Sequence, residues 1–345
     1  MFAFFIKRLL FMVPALLLVS IFAFGIMQLQ TGDYTTRFAL TLGPQGVAAL
    51  KEKYGLDQAV YVQYFKWIYG IIGRPRVDGE FPFLHVEAMD FGISFQTQQP
   101  AIEALFLSAN RLQWTLLIVV LTMIFTWLIA IPIGIYSATH KYSVGDHVTT
   151  FLGFLGLSIP NFFLALIVLW FLVVVVKVGP NFGLTIGGII DAKYANASWL
   201  DPQKWLNFLW HYWPVLLVVG AANMAQLIRY TRGSLLDVLA QPYVQTARAK
   251  GLTERVVIWK HAVRNALNPL ISILGFWIPF LFEGMVVAAV VMGLPVVEAG
   301  YWDAIRFEDQ YILMSGLLFF AFVLFVGNLV ADILLMLSDP KIRYE

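Results

Sequence analysis

Cysteine is absent from the 345-residue chain, which removes disulfides, thiolate nucleophiles and cysteine-ligated metals and leaves the compartment open. Charge is scarce as well: 13% of the residues are charged, against 60% hydrophobic. A soluble globular chain carries roughly 45–50% apolar and about 25% charged residues, so too little polar material remains here to cover a water-facing surface. That shortage all but excludes a soluble enzyme of this length, and the apolar excess excludes a disordered chain. Basic and acidic residues number 23 and 21, a formal charge of +2, from which no attraction to nucleic acid follows. Catalytic signatures are missing too. No G-x-x-x-x-G-K-[ST] loop is present to cradle a nucleotide phosphate and no H-E-x-x-H occurs. His85, His140, His147, His211 and His261 show no metal-ligand spacing, and Gly156-Leu157-Ser158-Ile159-Pro160 fails the G-x-S-x-G elbow at its last position. Neither a catalytic residue nor a metal site is expected, an intramembrane hydrolase is disfavoured, and the chain reads as a membrane protein.

Crossing the hydrocarbon core takes about 20 mostly apolar residues per helix. Six such runs occur, at 9–28, 112–137, 148–176, 213–228, 269–292 and 312–337. Asn223 and Gln226 interrupt the fourth, which is therefore expected to pack inside the bundle. Lys7 and Arg8 precede the first as in a signal peptide, but the run outlasts an h-region of roughly 7–15 residues and no small-x-small site follows, so it is expected to be retained. Short-loop basic residues set the orientation. Arg229, Arg232, Arg248, Lys250, Arg255, Lys260 and Arg264 crowd the segment between spans four and five, and Lys7, Arg8, Lys141, Lys341 and Arg343 fall on the same side. Glu298, Asp303, Glu308 and Asp309 dominate between spans five and six. This alternation predicts six crossings with both termini cytoplasmic and residues 30–111 external.

The external segment has helical signals of its own. A short helix over 46–54 is stopped by Gly55, and Asp57 suits the cap of a second over 58–71. On that second helix Tyr61, Tyr64, Phe65 and Ile68 recur at i, i+3, i+4 and i+7, one aromatic stripe. A surface loop is expected at 73–83, and after Pro100 a third amphipathic helix leads through Arg111 and Trp114 into span two. Such a segment serves as a cap on the bundle mouth or as a docking platform for an external partner, and the two are compatible.

Loop 230–268 carries the most specific pattern. Pro242 suits the first turn of a helix and Gly251 its left-handed stop, leaving about two turns over 243–250. Thr253 can cap the next helix, which starts at Glu254 and runs towards Asn268-Pro269. Small Thr246, Ala247 and Ala249, basic Arg248 and Lys250, and aromatic Tyr243 can seat closely in another protein's groove. Positive charge alone would enforce topology. Topology has no need of proline, small residues and glycine at fixed offsets, so a rigid lever attached to a membrane span is the better reading.

Gln245-Thr246-Ala247 followed by Gly251 resembles the E-A-A-x-x-x-G loop of ATP-binding-cassette importer permeases. The run from Thr246 through Leu252, followed by Lys260-His261-Ala262-Val263-Arg264-Asn265-Ala266-Leu267, is similar to the dipeptide/oligopeptide branch of that family. Leu50-Lys51-Glu52-Lys53-Tyr54-Gly55-Leu56-Asp57, then Tyr61 through Phe65, Asp90-Phe91-Gly92-Ile93-Ser94, Gly293-Leu294-Pro295 and Asp339 through Arg343 match the branch in order, so the resemblance covers nearly the whole chain. There are departures: Gln245 stands where the general motif opens with an acid, Arg264 where many members close the loop with proline, and Ala289 where many carry a glutamate. The stretch 73–83 is also longer than the branch pattern.

The resemblance implies an all-α polytopic permease of the type I importer kind: six transmembrane helices, an external helical segment at 30–111 between spans one and two, and a cytoplasmic coupling loop at 230–268, within one transmembrane domain spanning 1–345. Tyr243, Gln245, Thr246, Ala247, Arg248, Ala249, Lys250 and Gly251 would form the coupling helix that docks on an ATPase. Implied partners are a homologous second permease, two cytoplasmic ATPase subunits holding ATP and Mg²⁺, an external substrate-binding protein and the lipid bilayer of a bacterial or archaeal inner membrane. No cofactor is expected on this chain. The implied cargo is a di- or oligopeptide, with oligosaccharides, nickel complexes or other small solutes as alternatives, and a secondary transporter is the alternative class. An ionisable group inside the membrane is costly and is by default a functional candidate. Glu283, near mid-span, with Asn161 and Asn223 as polar company, is therefore a candidate for lining the pathway, although hydrogen bonding between helices accounts for such residues equally well.

Overall fold

The computed structural model describes residues 2–29, 35, 39–72, 89–178 and 187–338, apart from the side chains of 2–4, 39–41, Lys53 and Glu283. The expected loop at 73–83 and the basic residues Lys341 and Arg343 lie outside the described residues. In chain order the helices are α1 (Phe2–Gln28), α2 (Ala39–Tyr54), α3 (Val60–Ile72), α4 (Arg111–Thr139), α5 (Val144–Ser158), α6 (Asn161–Trp170), α7 (Pro202–Leu239), α8 (Pro242–Ala249), α9 (Glu254–Val256), α10 (Val263–Ala266), α11 (Asn268–Met292), α12 (Val297–Phe307) and α13 (Gln310–Ser338). Among the described residues there is no strand, and the one β contact is an isolated bridge between Ile93 and Pro100. The protein is all-α and polytopic.

Among the described residues, five stretches are long and apolar enough to cross a membrane: Phe5–Gln28, Glu103–Thr139, Pro202–Leu239, Asn268–Met292 and Gln310–Leu337. The span expected at 148–176 is not one straight helix. It is a pair, Val144–Ser158 and Asn161–Val175, bent by 101°. Pro160 explains the break, because a proline ring pushes the residue before it out of the helical region. Ile159 accordingly sits at φ −88°, ψ 118°. The fourth span is longer than its apolar run suggested. It is stretched over 38 residues and buries Asn207, His211 and Asn223, so the inward packing expected from its polar residues holds.

The chain divides into two compact units, one of Phe2–Gln113 with Val296–Phe322, the other of Trp114–Pro295 with the chain from Val323 on. In the first, α2 is two helices joined at Gly43, whose φ of 66° breaks the turn. Gly55 closes α2 as expected: at φ 67° it lets Leu56 N–H reach the Lys51 carbonyl at 2.8 Å. Helix α3 turns Trp67 and Gly70 inward, while Tyr61 and Phe65 of the expected stripe stay largely exposed. Tyr64, Trp67, Ile68 and Ile71 instead pack with Phe24 and Met27 of α1 and Met314 of α13. The Asp90–Ser94 motif proves to be a turn held by hydrogen bonds. The Asp90 carboxylate accepts from Gly92 N–H at 2.8 Å, and Ser94 Oγ donates to Asp309 at 2.6 Å. Gly92, at φ 94°, lies so close to the Tyr311 ring that any Cβ would collide with it.

The lead into span two is broken rather than continuous. A π turn at Glu103–Leu107 gives way at Ser108–Asn110, where Ala109 has φ 52°, before α4 begins. Arg111 bridges the break by donating to the Ala104 carbonyl at 2.9 Å.

Candidate functional site

In the second unit α7 runs without interruption to Leu239, turns at Ala240 and Gln241, and re-enters helix at Pro242. Gln241 is extended at φ −70°, ψ 146°, and Pro242 takes the first helical position, where its missing N–H costs nothing. The far end closes as a Schellman turn. Leu252 N–H reaches the Ala247 carbonyl at 3.4 Å and Gly251 N–H that of Arg248 at 2.9 Å, with Gly251 at φ 77°. Helix α8 is therefore stopped sharply at both ends, as the proline and glycine predict.

Three contacts fix its attitude. Val244 and Ala247 turn inward against Val257, with Val238 and Leu239 of α7 beside them. Tyr243 Oη accepts from Asn265 Nδ2 at 2.8 Å. Across the Gly251 turn, Arg248 donates to both oxygens of Glu254, at 2.7 and 3.1 Å. Tyr243, Gln245, Thr246, Ala249, Lys250 and Gly251 form the outer surface, with Arg248 half-buried at its edge. Ala247 corrects the sequence reading. It is 7% exposed, so its small size seats α8 on its own loop instead of offering a contact to another protein.

Beyond Gly251 the expected helix from Glu254 changes pitch. Thr253 has capping backbone angles but makes no side-chain cap, and a π turn at Val257–Ala262 separates α9 from α10. Val257, Ala262, Val263 and Ala266 are all buried. A five-residue spacing from Val257 to Ala262 falls off one face of an α-helix, and a π turn restores it because its hydrogen bonds close over five residues.

The Arg248 guanidinium holds the Glu254 carboxyl below its usual range, and Glu254 in turn raises Arg248. For a carboxylate lowered in this way, the stabilisation is present above its unfolded pKa of about 4.3 and fades as pH falls through the folded value. Both groups are partly exposed, 35% for Arg248 and 56% for Glu254. The pair is therefore worth no more than about 1 kcal/mol. At neutral pH, Glu254→Gln is expected to speed amide exchange in α8 several-fold, and the difference from the parent is expected to fade as pH falls through the lowered Glu254 pKa. Identical exchange at neutral pH would show that the pair does not hold the turn.

Of the candidate pathway residues, Asn161 and Asn223 are described, whereas the Glu283 side chain lies outside the described residues. Asn161 Nδ2 stands 3.0 Å from where a Cβ on Gly284 would be, and Val219 of α7 is 3.7 Å from the same point. Asn223, buried, donates to the Val219 carbonyl at 2.9 Å on its own helix. The two asparagines thus flank one close approach of α6, α7 and α11, and Asn223 is satisfied locally.

A cluster in the same unit went unread in the sequence. Asp146, 3% exposed, receives four hydrogen bonds. Arg232 Nε and Nη2 donate at 2.9 and 3.0 Å, Tyr142 N–H at 2.9 Å, and Ser137 Oγ in a short bond. That one carboxylate joins the last turn of α4, the first turn of α5 and the α7 stretch leading to α8. The available signal was Ser143-Val144-Gly145-Asp146, a capping-box spacing; Ser143 Oγ does accept from Asp146 N–H, at 3.1 Å.

A short, doubly stopped helix carried at the end of a long span is the geometry of the resembling loop, and comparison with known proteins extends that agreement over the chain. Residues 130–344 match the family described as binding-protein-dependent transport system inner membrane component, and residues 1–119 match the N-terminal model of the same systems' membrane components. The chain belongs to this family. An oligopeptide transport system permease protein, AppB of Bacillus subtilis (strain 168), is 36% identical over 347 residues, 99% of each chain. The dipeptide permease DppB of Escherichia coli (strain K12) is 28% identical over 362 residues, all of both chains. The glutathione permease GsiC of Salmonella choleraesuis is 30% identical over 344 residues, 99% of this chain and 98% of that one. As a member of the family, the protein is a multi-pass inner-membrane permease subunit of a transport system, and its role is transport and not catalysis.

Proposed function

We propose that the protein is the permease subunit of an ATP-driven importer of di- and oligopeptides, forming half of the translocation pathway by alternating access. The observation that carries this reading is similarity over whole chains, not isolated motifs, to proteins named as oligopeptide, dipeptide and glutathione permeases. The other half of the pathway is a homologous permease. ATP and Mg²⁺ bind two cytoplasmic ATPase subunits, and a substrate-binding protein delivers cargo from outside. Helix α8 is the coupling element, offering Tyr243, Gln245, Thr246, Arg248, Ala249, Lys250 and Gly251 to an ATPase. Its rigid seating on the loop supports this, because a lever transmits motion only if it does not pivot on its own stem. Loop 230–268 and both termini are cytoplasmic, 30–111 is external, and 1–345 acts as one transmembrane domain. Asn161, Asn223 and Glu283 remain the pathway candidates. Oligosaccharide cargo and a secondary transporter are not favoured by the comparisons.

Purification from native membranes is expected to bring down the second permease and two ATPases. Vesicles containing that complex and the binding protein are expected to take up peptide only when supplied with ATP. Uptake driven by an ion gradient without the ATPases would overturn the reading. Orientation is checked in the same preparation with single cysteines at the exposed positions Asp57 and Thr253. An impermeant maleimide is expected to reach position 57 alone in intact spheroplasts.

A further inference from the structure

Helix α3 has three distinct sides. One side, formed by Tyr64, Trp67, Ile68 and Ile71, packs on α1 and α13. A second carries Gln63 and Lys66, next to Gly70, which meets the Asp90 carbonyl so closely that a Cβ would stand 2.8 Å from its oxygen. The third holds Tyr61, Phe65, Tyr69 and Ile72, which are 68%, 65%, 53% and 69% exposed and include no charge. A chain this hydrophobic does not leave a four-residue edge of three aromatic rings and an isoleucine bare in water without an occupant.

The depth at which α3 is anchored identifies that occupant. Tyr64 Oη lies 2.9 Å from Ser20 Oγ, and the Tyr64 ring meets Phe24 edge to face while the Trp67 ring stacks against it, at centroid distances of 5.4 and 6.3 Å. Ser20 and Phe24 belong to the spanning stretch Phe5–Gln28. At 1.5 Å per residue they lie about 12 and 6 Å below its Gln28 end. On α13, Met314 and Leu318 belong to the spanning stretch Gln310–Leu337 and meet α3 at comparable distances from its Gln310 end. A helix attached at that depth to two spans is level with the outer part of the hydrocarbon layer, and α1 beside it is itself bare along Leu18, Ile21, Phe22 and Ile26.

We propose that α3 is embedded in the membrane interface, with Tyr61, Phe65, Tyr69 and Ile72 against lipid and Gln63 and Lys66 turned to water. Two tyrosines and a phenylalanine on one edge are the residue types that settle at this level of a bilayer, where an amphipathic ring has both phases within reach. Lys66 carries its ammonium out of the layer on a flexible stem. The inference rests on the inner-membrane placement of the protein and not on its cargo or on coupling. The segment between spans one and two is then partly a membrane-anchored platform and not wholly a water-exposed cap.

The test uses the absence of native cysteine. Single cysteines at Tyr61, Phe65, Tyr69 and Ile72, with Phe22 as a lipid reference and Lys66 and Glu52 as water-facing positions, are labelled with an environment-sensitive fluorophore. The assembled complex, its other subunits cysteine-free, is then placed in phosphatidylcholine vesicles with plain or brominated acyl chains. Labels at the four α3 positions are expected to lose emission in brominated lipid to an extent comparable with position 22. Labels at Lys66 and Glu52 are expected to keep theirs and respond to iodide instead. Four independent positions guard against one variant failing to assemble. Quenching of the α3 edge by iodide would overturn the proposal, as would shielding that appears only when the binding protein is added. Insensitivity to both quenchers would overturn it in favour of a protein neighbour. Failure of position 22 to sense brominated lipid would overturn the placement of α1 in the membrane, and with it the inference on α3.

Discussion

Asp146→Ala is expected to be the most damaging single substitution in the protein. It removes the acceptor of four hydrogen bonds and leaves the Arg232 guanidinium facing Ser137 and the α4–α5 turn without its carboxylate. Breaking one side of a fully buried ion pair costs about 3–5 kcal/mol, and because Arg232 is 28% exposed and can regain some water, the loss is expected at the lower end of that range. Arg232→Ala is expected to cost less, because the buried Asp146 carboxylate keeps its Ser137 and Tyr142 donors. Ser137→Ala loses one hydrogen bond, about 1–2 kcal/mol. The double substitution Asp146→Ala with Arg232→Ala is expected to cost less than the sum of the two, as residues sharing one interaction do. Thermal aggregation of the detergent-purified complex checks the series. An Asp146→Ala protein as heat-resistant as the parent would mean that this carboxylate does not hold α4, α5 and α7 together.

Helix α8 carries the second large effect. Ala247→Glu places a carboxylate where Val244, Val257 and Leu239 leave only a methyl group's room, so α8 must lift off its loop to hydrate it. Gly251→Val acts differently. Nothing lies within 4 Å of a Cβ at Gly251, so the penalty comes from φ 77° alone. That left-handed conformation costs a residue with a Cβ about 1–2 kcal/mol, and a β-branched one more. Both variants are expected to insert normally in the membrane. For Ala247→Glu, peptide uptake in vesicles containing the whole complex is expected to fall about tenfold or more, since each 1.4 kcal/mol lost from a docked state is a factor of ten. A smaller loss is expected for Gly251→Val. Co-purified ATPase and hydrolysis stimulated by loaded binding protein separate a lost interface from an uncoupled one. Normal uptake by both variants would reduce loop 240–252 to a topological connector.

The two predictions differ in how much of their basis is written locally. Pro242 and Gly251 announce α8 because backbone restriction acts over one or two residues. Gly55 announces the end of α2 for the same reason. The membrane class and most of the spans follow from composition and run length, which are also local sums. The Asp146–Arg232 pair joins positions 86 residues apart. Its residues look like loop charges when each is read alone, and only the capping spacing at Ser143 hinted at an inward-facing acid. Ala247 shows the same division: smallness is legible, but whether a small residue faces a partner or its own stem depends on which way the helix rolls. Val238, Leu239 and Val257 decided that by burying Val244 beside it.

Sequence alone therefore established an all-α chain in a membrane, the helix ends at Gly55, Pro242 and Gly251, and a short stopped helix after a long span. It did so because hydropathy, φ restriction and capping are properties of neighbouring residues. The 101° break between α5 and α6 was written locally in Pro160, whereas tertiary structure decided the side of α3 that is buried, the π turn that brings Val257 and Ala262 to one face, and the carboxylate that ties three helices together. Each of these depends on which distant surface an element meets. Burial and charge pairing are settled by that meeting, which a residue's neighbours along the chain do not specify.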